Sequence, residues 1–339
     1  MAIPKNASAA SKSWDFNRLP DIVRDRWGND AASLSPPLNQ PDNDFLNAAS
    51  NIASRHLPPG LAEHLAAVMT SGPFFRVLEN LPIGKCIPPV PTNGKRPTGK
   101  DWVSEATLLG TTRAIGLEAF TYLQERQGVI PQQVAPIHGQ EAANHSGNTE
   151  EFGFHSDNAI LQREHLAEFI ALLGIRNDRN TETSLAALDD LLTELDTVSP
   201  SFVPVMEDPQ QWQVPYPESF EMGADRKFSR PCSILTRAFD GRYEIAMAVY
   251  NVVPLTRDAE AVLEAVKALL KPPLVQTVVI RPGTLLIMSN FRGLHGRGKI
   301  AGSRWAQRIY LGRSLKALQA ACGTGDDARV FDVRKLHHK

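Results

Sequence analysis

Residues 151–160 read EFGFHSDNAI, so a histidine and a carboxylate, His155 and Asp157, stand two positions apart among small, apolar and polar residues. Alone, the pair fits a polar interruption at a strand end as well as half of a metal site. A second histidine, His295, lies 140 residues downstream in IRPGTLLIMSNFRGLHGRGKIAGSRWAQRIYLGRSL (280–315), and Arg308 sits in the β-type run after it. Two imidazoles and one carboxylate are the ligand set that covers one face of an octahedral Fe(II) and leaves the remaining positions open. An all-cysteine set would favour zinc, and an all-carboxylate set magnesium or calcium. The competing readings are ordinary ones. A lone interior histidine is more often hydrogen-bonded than ligating, and Asp157 or Asn158 can cap a turn. His165, ten residues after His155, offers a zinc set with Asp157, although the intervening residues resemble no ligand loop.

Such groups need rigid elements to bring them together. Residues 1–58 are rich in Pro, Asn, Asp and Ser, with SPPLNQPDND at 35–44, and read as an irregular N-terminal arm. Helical spacing begins at 60–69, where Leu61, Leu65 and Val68 share a face. The Pro/Gly-rich segment 83–102 is a loop, and a second helical stretch covers 102–128. Short β-type runs follow at 166–176, 232–239, 243–253, 275–281, 284–289 and 306–312, with turn signals DG at 240–241 and PG at 282–283. Two amphipathic helices interrupt them, at 184–195 and 258–270. No G-x-G-x-x-G or Walker sequence follows a strand, which argues against a dinucleotide or P-loop site. The pattern predicts a mainly β protein with helical decorations, closed or sandwiched in the jelly-roll manner. We expect one catalytic domain over 59–339, with helical support at 59–128 and the core at 130–315.

The totals set outer bounds. A chain of 339 residues with 42% hydrophobic and 22% charged residues has the composition of a soluble globular protein with a sizeable core. Lys+Arg 36 against Asp+Glu 37 favours neither nucleic acid nor an anionic membrane surface as a partner. Cys86, Cys232 and Cys322 are odd in number and far apart, so they make neither a disulfide framework nor a metal knuckle. The N-terminus lacks the apolar segment of a secretory signal, and no apolar run approaches the ~18 residues of a membrane span. A cytoplasmic location is expected. The pattern carries no information on oligomeric state.

The order H-x-D, then a threonine 28 residues after His155, then His295 within PGTLLIMSNFRGLHGRG, then RWAQRIY, resembles the clavaminate synthase-like branch of the Fe(II)/2-oxoglutarate-dependent dioxygenases, in the taurine dioxygenase superfamily. The likeness spans roughly 130–315 and is closest at 153–178 and 280–310. It implies a double-stranded β-helix core, Fe(II), 2-oxoglutarate and O₂. It also implies a small-molecule substrate, a free or lightly modified L-amino acid, with a basic one such as lysine as the leading expectation. Several members of the branch hydroxylate amino acids for natural-product assembly. Carried over by residue, His155, Asp157 and His295 ligate iron. Arg308 meets the far carboxylate of 2-oxoglutarate with a bidentate guanidinium. Thr183 stands beside it, although Thr183 also lies where an N-cap of the 184–195 helix would fall. Gln140, Glu141, Asn158 and Arg313 are candidate substrate contacts. Three departures are visible: Thr284 replaces the family's acid after PG, some amino-acid hydroxylases carry glutamate where Asp157 stands, and His295 and Arg308 are 13 residues apart, one short of some members. Three other readings stand beside it: a carrier-bound or non-amino-acid substrate, a cupin-like binding protein, and a zinc hydrolase built on His155, Asp157 and His165 or His295.

Overall fold

The computed structural model describes residues 17–38, 40–70, 72–139, 148–220, 222 and 227–339. The N-terminal segment expected to be irregular carries two helices, α1 (Asp21–Ala32) and α2 (Asn43–His56). The Pro- and Asn-rich residues that suggested an arm flank these helices rather than fill them. Within α2, Phe45, Leu46, Ala49, Ile52 and Ala53 recur at helical spacing and are buried, and the Asp42 side chain accepts the Phe45 N–H as an N-cap. They pack with Trp27 of α1 in one apolar cluster, where each large side chain contributes about 1.5–3 kcal/mol of burial. Then come α3 (Pro59–Ala66), strand β1 (Phe75–Leu78) and α4 (Val103–Ala114). Gly110 lets α4 approach α2, since a Cβ there would sit 2.4 Å from the Ala49 carbonyl oxygen.

The helix expected over 102–128 ends at Ala114. Gly116, in the left-handed region at φ +88°, turns the chain, and EAFTY becomes β2 (Glu118–Tyr122). The chain continues through β3 (Gln132–Val134), β4 (Phe152–His155), β5 (Phe169–Asn177) and β6 (Glu182–Ala187). The helix expected from residue 184 therefore starts later, as α5 (Leu188–Val198), because residues 182–187 are drawn into a ladder on both sides. Next are α6 (Phe202–Glu207), β7 (Trp212–Gln213), β8 (Leu235–Arg237), β9 (Tyr243–Ile245) and β10 (Val253–Pro254). The last third holds α7 (Arg257–Leu269), β11 (Val275–Val279), β12 (Leu285–Ser289), β13 (Gly293–Arg297), β14 (Arg304–Gly312), α8 (Lys316–Cys322) and β15 (Val330–Phe331).

Two sheets dominate. The larger runs β1-β12-β5-β14-β2-β15, with β3 also paired to β14, and the smaller runs β11-β6-β13-β4. Side chains alternate along β14: Trp305, Ile309 and Leu311 join the apolar cluster of α1, α2 and α4, while Ala306 and Tyr310 join the cluster shared with the smaller sheet. Arg304 and Arg308 have the parity of Ala306 and Tyr310 and so face the space between the sheets. The long strand expected over 243–253 closes after Ile245. Beyond it, residues 246–250 lie against β4, with Ala248 bridged to His155. Among the described residues no helix is long and apolar enough to cross a membrane.

Candidate metal centre

His155 ends β4, His295 is central in β13, and the antiparallel register sets the two directly opposite each other. Their rings lie 4.2 Å apart between centroids. Asp157 follows β4 by two residues and points its carboxylate at both. Its Oδ1 is 3.2 Å from His155 Nε2 and 3.7 Å from His295 Nε2, and the ligand atoms of all three lie within 4.8 Å of one another. His155 Nδ1 is bonded at 2.7 Å to the Gly153 carbonyl; donation through Nδ1 leaves the Nε2 lone pair free for a metal. Burial, together with the nearby His155, lowers the His295 pKa and so favours the neutral imidazole that a metal ligand requires. Burial opposes ionisation of Asp157, but the Arg308 guanidinium and the two imidazoles beside it outweigh burial and hold the carboxyl well below its usual range.

Asn290, which the residue types alone did not single out, fixes the backbone of Asp157. It accepts the Asp157 N–H at 2.8 Å and donates to the carbonyls of Asp157 and Ala167 at 3.0 and 3.1 Å. The asparagine lies in the SNF run five residues before His295, so one short segment supplies both a ligand and the clamp for another.

Arg308 reaches this centre from the larger sheet. It donates to Asp157 Oδ2 at 2.9 Å, Glu125 Oε2 at 2.8 Å and Gln132 Oε1 at 2.6 and 3.0 Å, and Tyr310 also donates to Glu125 at 2.7 Å. These contacts use most of its donors and set its guanidinium against the metal carboxylate. Arg304 stands four residues earlier on the same face of β14, about 13 Å along the strand. It is 4% exposed and makes no hydrogen bond or ion pair with any described residue; burial and the neighbouring Arg297 pull its pKa down to about 9. Arg297 is buried as well and donates to Asn148 and to the Gly298 carbonyl. Thr183, directly across from Arg297 in the β6–β13 ladder, is 3% exposed with its hydroxyl unpartnered. Thr183 is thus a strand residue and not a helix cap. The donor set of His155, Asp157 and His295 fits a divalent iron. An unpaired buried guanidinium and an orphaned buried hydroxyl fit an incoming carboxylate, because buried charge and buried hydroxyls both need partners.

Other expected residues fall differently. Asn158 adjoins Asp157 in the left-handed conformation, φ +58°, with its Nδ2 buried and unpartnered. Arg313 lies beyond β14 on an exposed rim, bonded to Glu168 and the Met69 carbonyl, and does not join the centre. Gln140 and Glu141 lie outside the described residues. His165 groups with Glu164 and His337 instead of Asp157, and its Nδ1 accepts the His337 N–H at 3.0 Å. Glu125, Gln132 and Arg304 escaped the sequence reading. Arg304 had a signal, since RWAQR sets two arginines on one strand face.

No protein-family model matches the chain. L-asparagine oxygenase of Streptomyces coelicolor is 27% identical over 287 residues, covering 82% of this chain and 83% of that protein. L-ornithine/L-arginine 3-hydroxylase of Catenulispora acidiphila is 25% identical over 340 residues, covering 89% of this chain and 94% of that protein. Among solved structures, asparagine oxygenase in complex with Fe(II), 2S,3S-3-hydroxyasparagine and succinate shares the fold, with a TM-score of 0.78, 23% identity, and coverage of 93% of this chain and 98% of that one.

Proposed function

Because the chain belongs to the clavaminate synthase-like Fe(II)/2-oxoglutarate-dependent dioxygenases, in their amino-acid hydroxylase branch, we propose that it hydroxylates an unactivated C–H bond of a free L-amino acid. Its cofactor is Fe(II), and 2-oxoglutarate and O₂ are its co-substrates. On this reading the two sheets are the halves of a double-stranded β-helix, with the metal centre between them. The observation that carries the proposal is the buried His155–Asp157–His295 cluster on facing strands, beside two arginines of one strand face in opposite states of pairing.

His155, Asp157 and His295 hold the iron, which when loaded supplies the oxidation of a C–H bond coupled to decarboxylation of 2-oxoglutarate to succinate and CO₂. The far carboxylate of 2-oxoglutarate goes to Arg304 and Thr183, with Arg297 alongside, in place of Arg308. Arg308 is already tied to Asp157, whereas Arg304 has an uncompensated charge that a carboxylate would neutralise. Arg308 with Gln132, and Glu125 beside them, offer a fixed positive and negative pair. That pair complements the carboxylate and ammonium of an amino-acid head group. Binding there orients the substrate so that the carbon nearest the metal is the one oxidised.

The test is succinate release from 2-oxoglutarate with Fe(II) and ascorbate, run against each protein amino acid, with products weighed by mass spectrometry. One amino acid should stimulate turnover above the uncoupled rate and gain the mass of one oxygen atom. Stimulation by none of them sinks the amino-acid substrate.

A further inference from the structure

We infer that Arg308 is a positioning residue that holds Asp157 to the metal through one carboxylate oxygen; this deepens the metal-centre reading above and rests on it. The two oxygens of Asp157 have different partners. Oδ1 faces the imidazoles, 3.2 Å from His155 Nε2 and 3.7 Å from His295 Nε2, and so belongs to the donor set. Oδ2 instead accepts a hydrogen bond of 2.9 Å from Arg308 Nη1. A carboxylate that gave both oxygens to the metal would occupy one of the positions needed by the paired oxygens of 2-oxoglutarate and by O₂. Arg308 keeps Oδ2 out of the coordination sphere, and its charge opposes any swing of that oxygen toward a cation.

The aim of this guanidinium is set by the larger sheet. Arg308 stands opposite Gln132 in the β14–β3 ladder, and Gln132 Oε1 accepts from its Nε at 3.0 Å and its Nη2 at 2.6 Å. Glu125 Oε2 accepts from Nη2 at 2.8 Å and is fixed in turn by the Tyr310 hydroxyl at 2.7 Å. A guanidinium is planar and rigid, so two anchored nitrogens fix the direction of the third. Nη1 is thereby pointed at Oδ2. On the other side Asn290 fixes the Asp157 backbone, accepting its N–H and donating to its carbonyl. The carboxylate is therefore gripped from two strands, β14 and the end of β12. Both Asp157 and Arg308 side chains are largely buried, which strengthens the contact between them.

The experiment is pulsed EPR of the full chain loaded with Mn(II) in isotope-enriched water, which counts metal-bound waters, while nitrogen couplings from the imidazoles locate the ion. Arg308→Met frees Oδ2 to chelate, so this variant should hold one metal-bound water fewer than the parent. Its Mn(II) affinity should rise about tenfold, because a nearby cation is removed and a donor is added. Glu125→Gln leaves the Asp157 contact in place and should keep the parent's water count. Arg308→Met combined with Glu125→Gln strands no carboxylate, which guards against misfolding, and should match Arg308→Met. An unchanged water count in both Arg308 variants overturns the inference and leaves the metal-centre reading intact. A fall in their Mn(II) affinity, the result of a merely structural role, also overturns it, as does loss of a water in Glu125→Gln alone. A parent whose bound Mn(II) shows no imidazole coupling overturns the metal-centre reading, and this inference with it.

Discussion

Arg304→Met asks which of two arginines on one strand face holds the co-substrate. Arg304 is buried and lacks a counter-charge among the described residues, and the neighbouring Arg297 lies directly across the β6–β13 ladder from the orphaned Thr183 hydroxyl. A carboxylate arriving there would gain two charge-assisted hydrogen bonds, each about 1.5–3 kcal/mol. Removing them should cost about 3–6 kcal/mol of 2-oxoglutarate binding, which is two to four decades in Kd at about 1.4 kcal/mol per decade. Methionine keeps much of the side-chain volume and deletes an uncompensated buried charge, so the ligand-free protein should become more stable. Thr183→Ala forfeits one neutral hydrogen bond of about 1 kcal/mol and should weaken 2-oxoglutarate roughly fivefold. The assay is anaerobic titration of the Mn(II)-loaded protein with 2-oxoglutarate, with metal affinity measured separately. Metal affinity should hold in Arg304→Met, because that residue touches none of the three ligands. If Arg304→Met binds 2-oxoglutarate like the parent, the assignment of the far carboxylate is refuted. In that event Arg308 must leave Asp157 to take the carboxylate.

Asn290→Ala deletes three hydrogen bonds that fix Asp157 and Ala167, and it should lower metal affinity by about 10–100-fold while leaving the ligand set intact; metal titration by competition checks this. Glu105→Gln strips Lys100 of its carboxylate, which lies 2.7 Å away in a fully buried pair, and should cost about 3–5 kcal/mol in denaturant unfolding. Burial holds the His165 pKa below its ordinary value of 6.5. Acidification then protonates the unfolded chain before the folded one, so stability is lost as the pH falls through and below 6.5. His165→Asn should flatten that part of the metal-free protein's pH–stability profile.

The three residues that the structure brings together as candidate metal ligands were legible because their evidence is local. His155 and Asp157 are two residues apart, and His295 sits in a run whose strand and turn are written in neighbouring residues. Arg308 was legible as a strand arginine but not in its role, since its partners Glu125 and Gln132 come from β2–β3 and meet it only once β14 pairs with β3. Arg304 and Thr183 share that difficulty, because their significance is the lack of a partner, which only the folded arrangement reveals. Thr183 illustrates a second limit. The periodicity of Leu188, Leu191, Leu192 and Leu195 is helical, but pairing with both β11 and β13 holds residues 182–187 in a strand up to its start. The N-terminal helices were hidden by their flanks, as prolines and asparagines around 35–44 dominated a window in which Phe45, Leu46 and Ile52 already had helical spacing.

The central claim, an iron-dependent hydroxylase that couples 2-oxoglutarate to an amino acid, is tested most directly with isotopically labelled O₂ in the Fe(II)-reconstituted enzyme. One labelled oxygen should appear in succinate and one in the hydroxylated amino acid. Both should vanish when zinc replaces iron and in His155→Ala. Product formed without O₂, turnover sustained by zinc, or succinate free of label would each contradict the account.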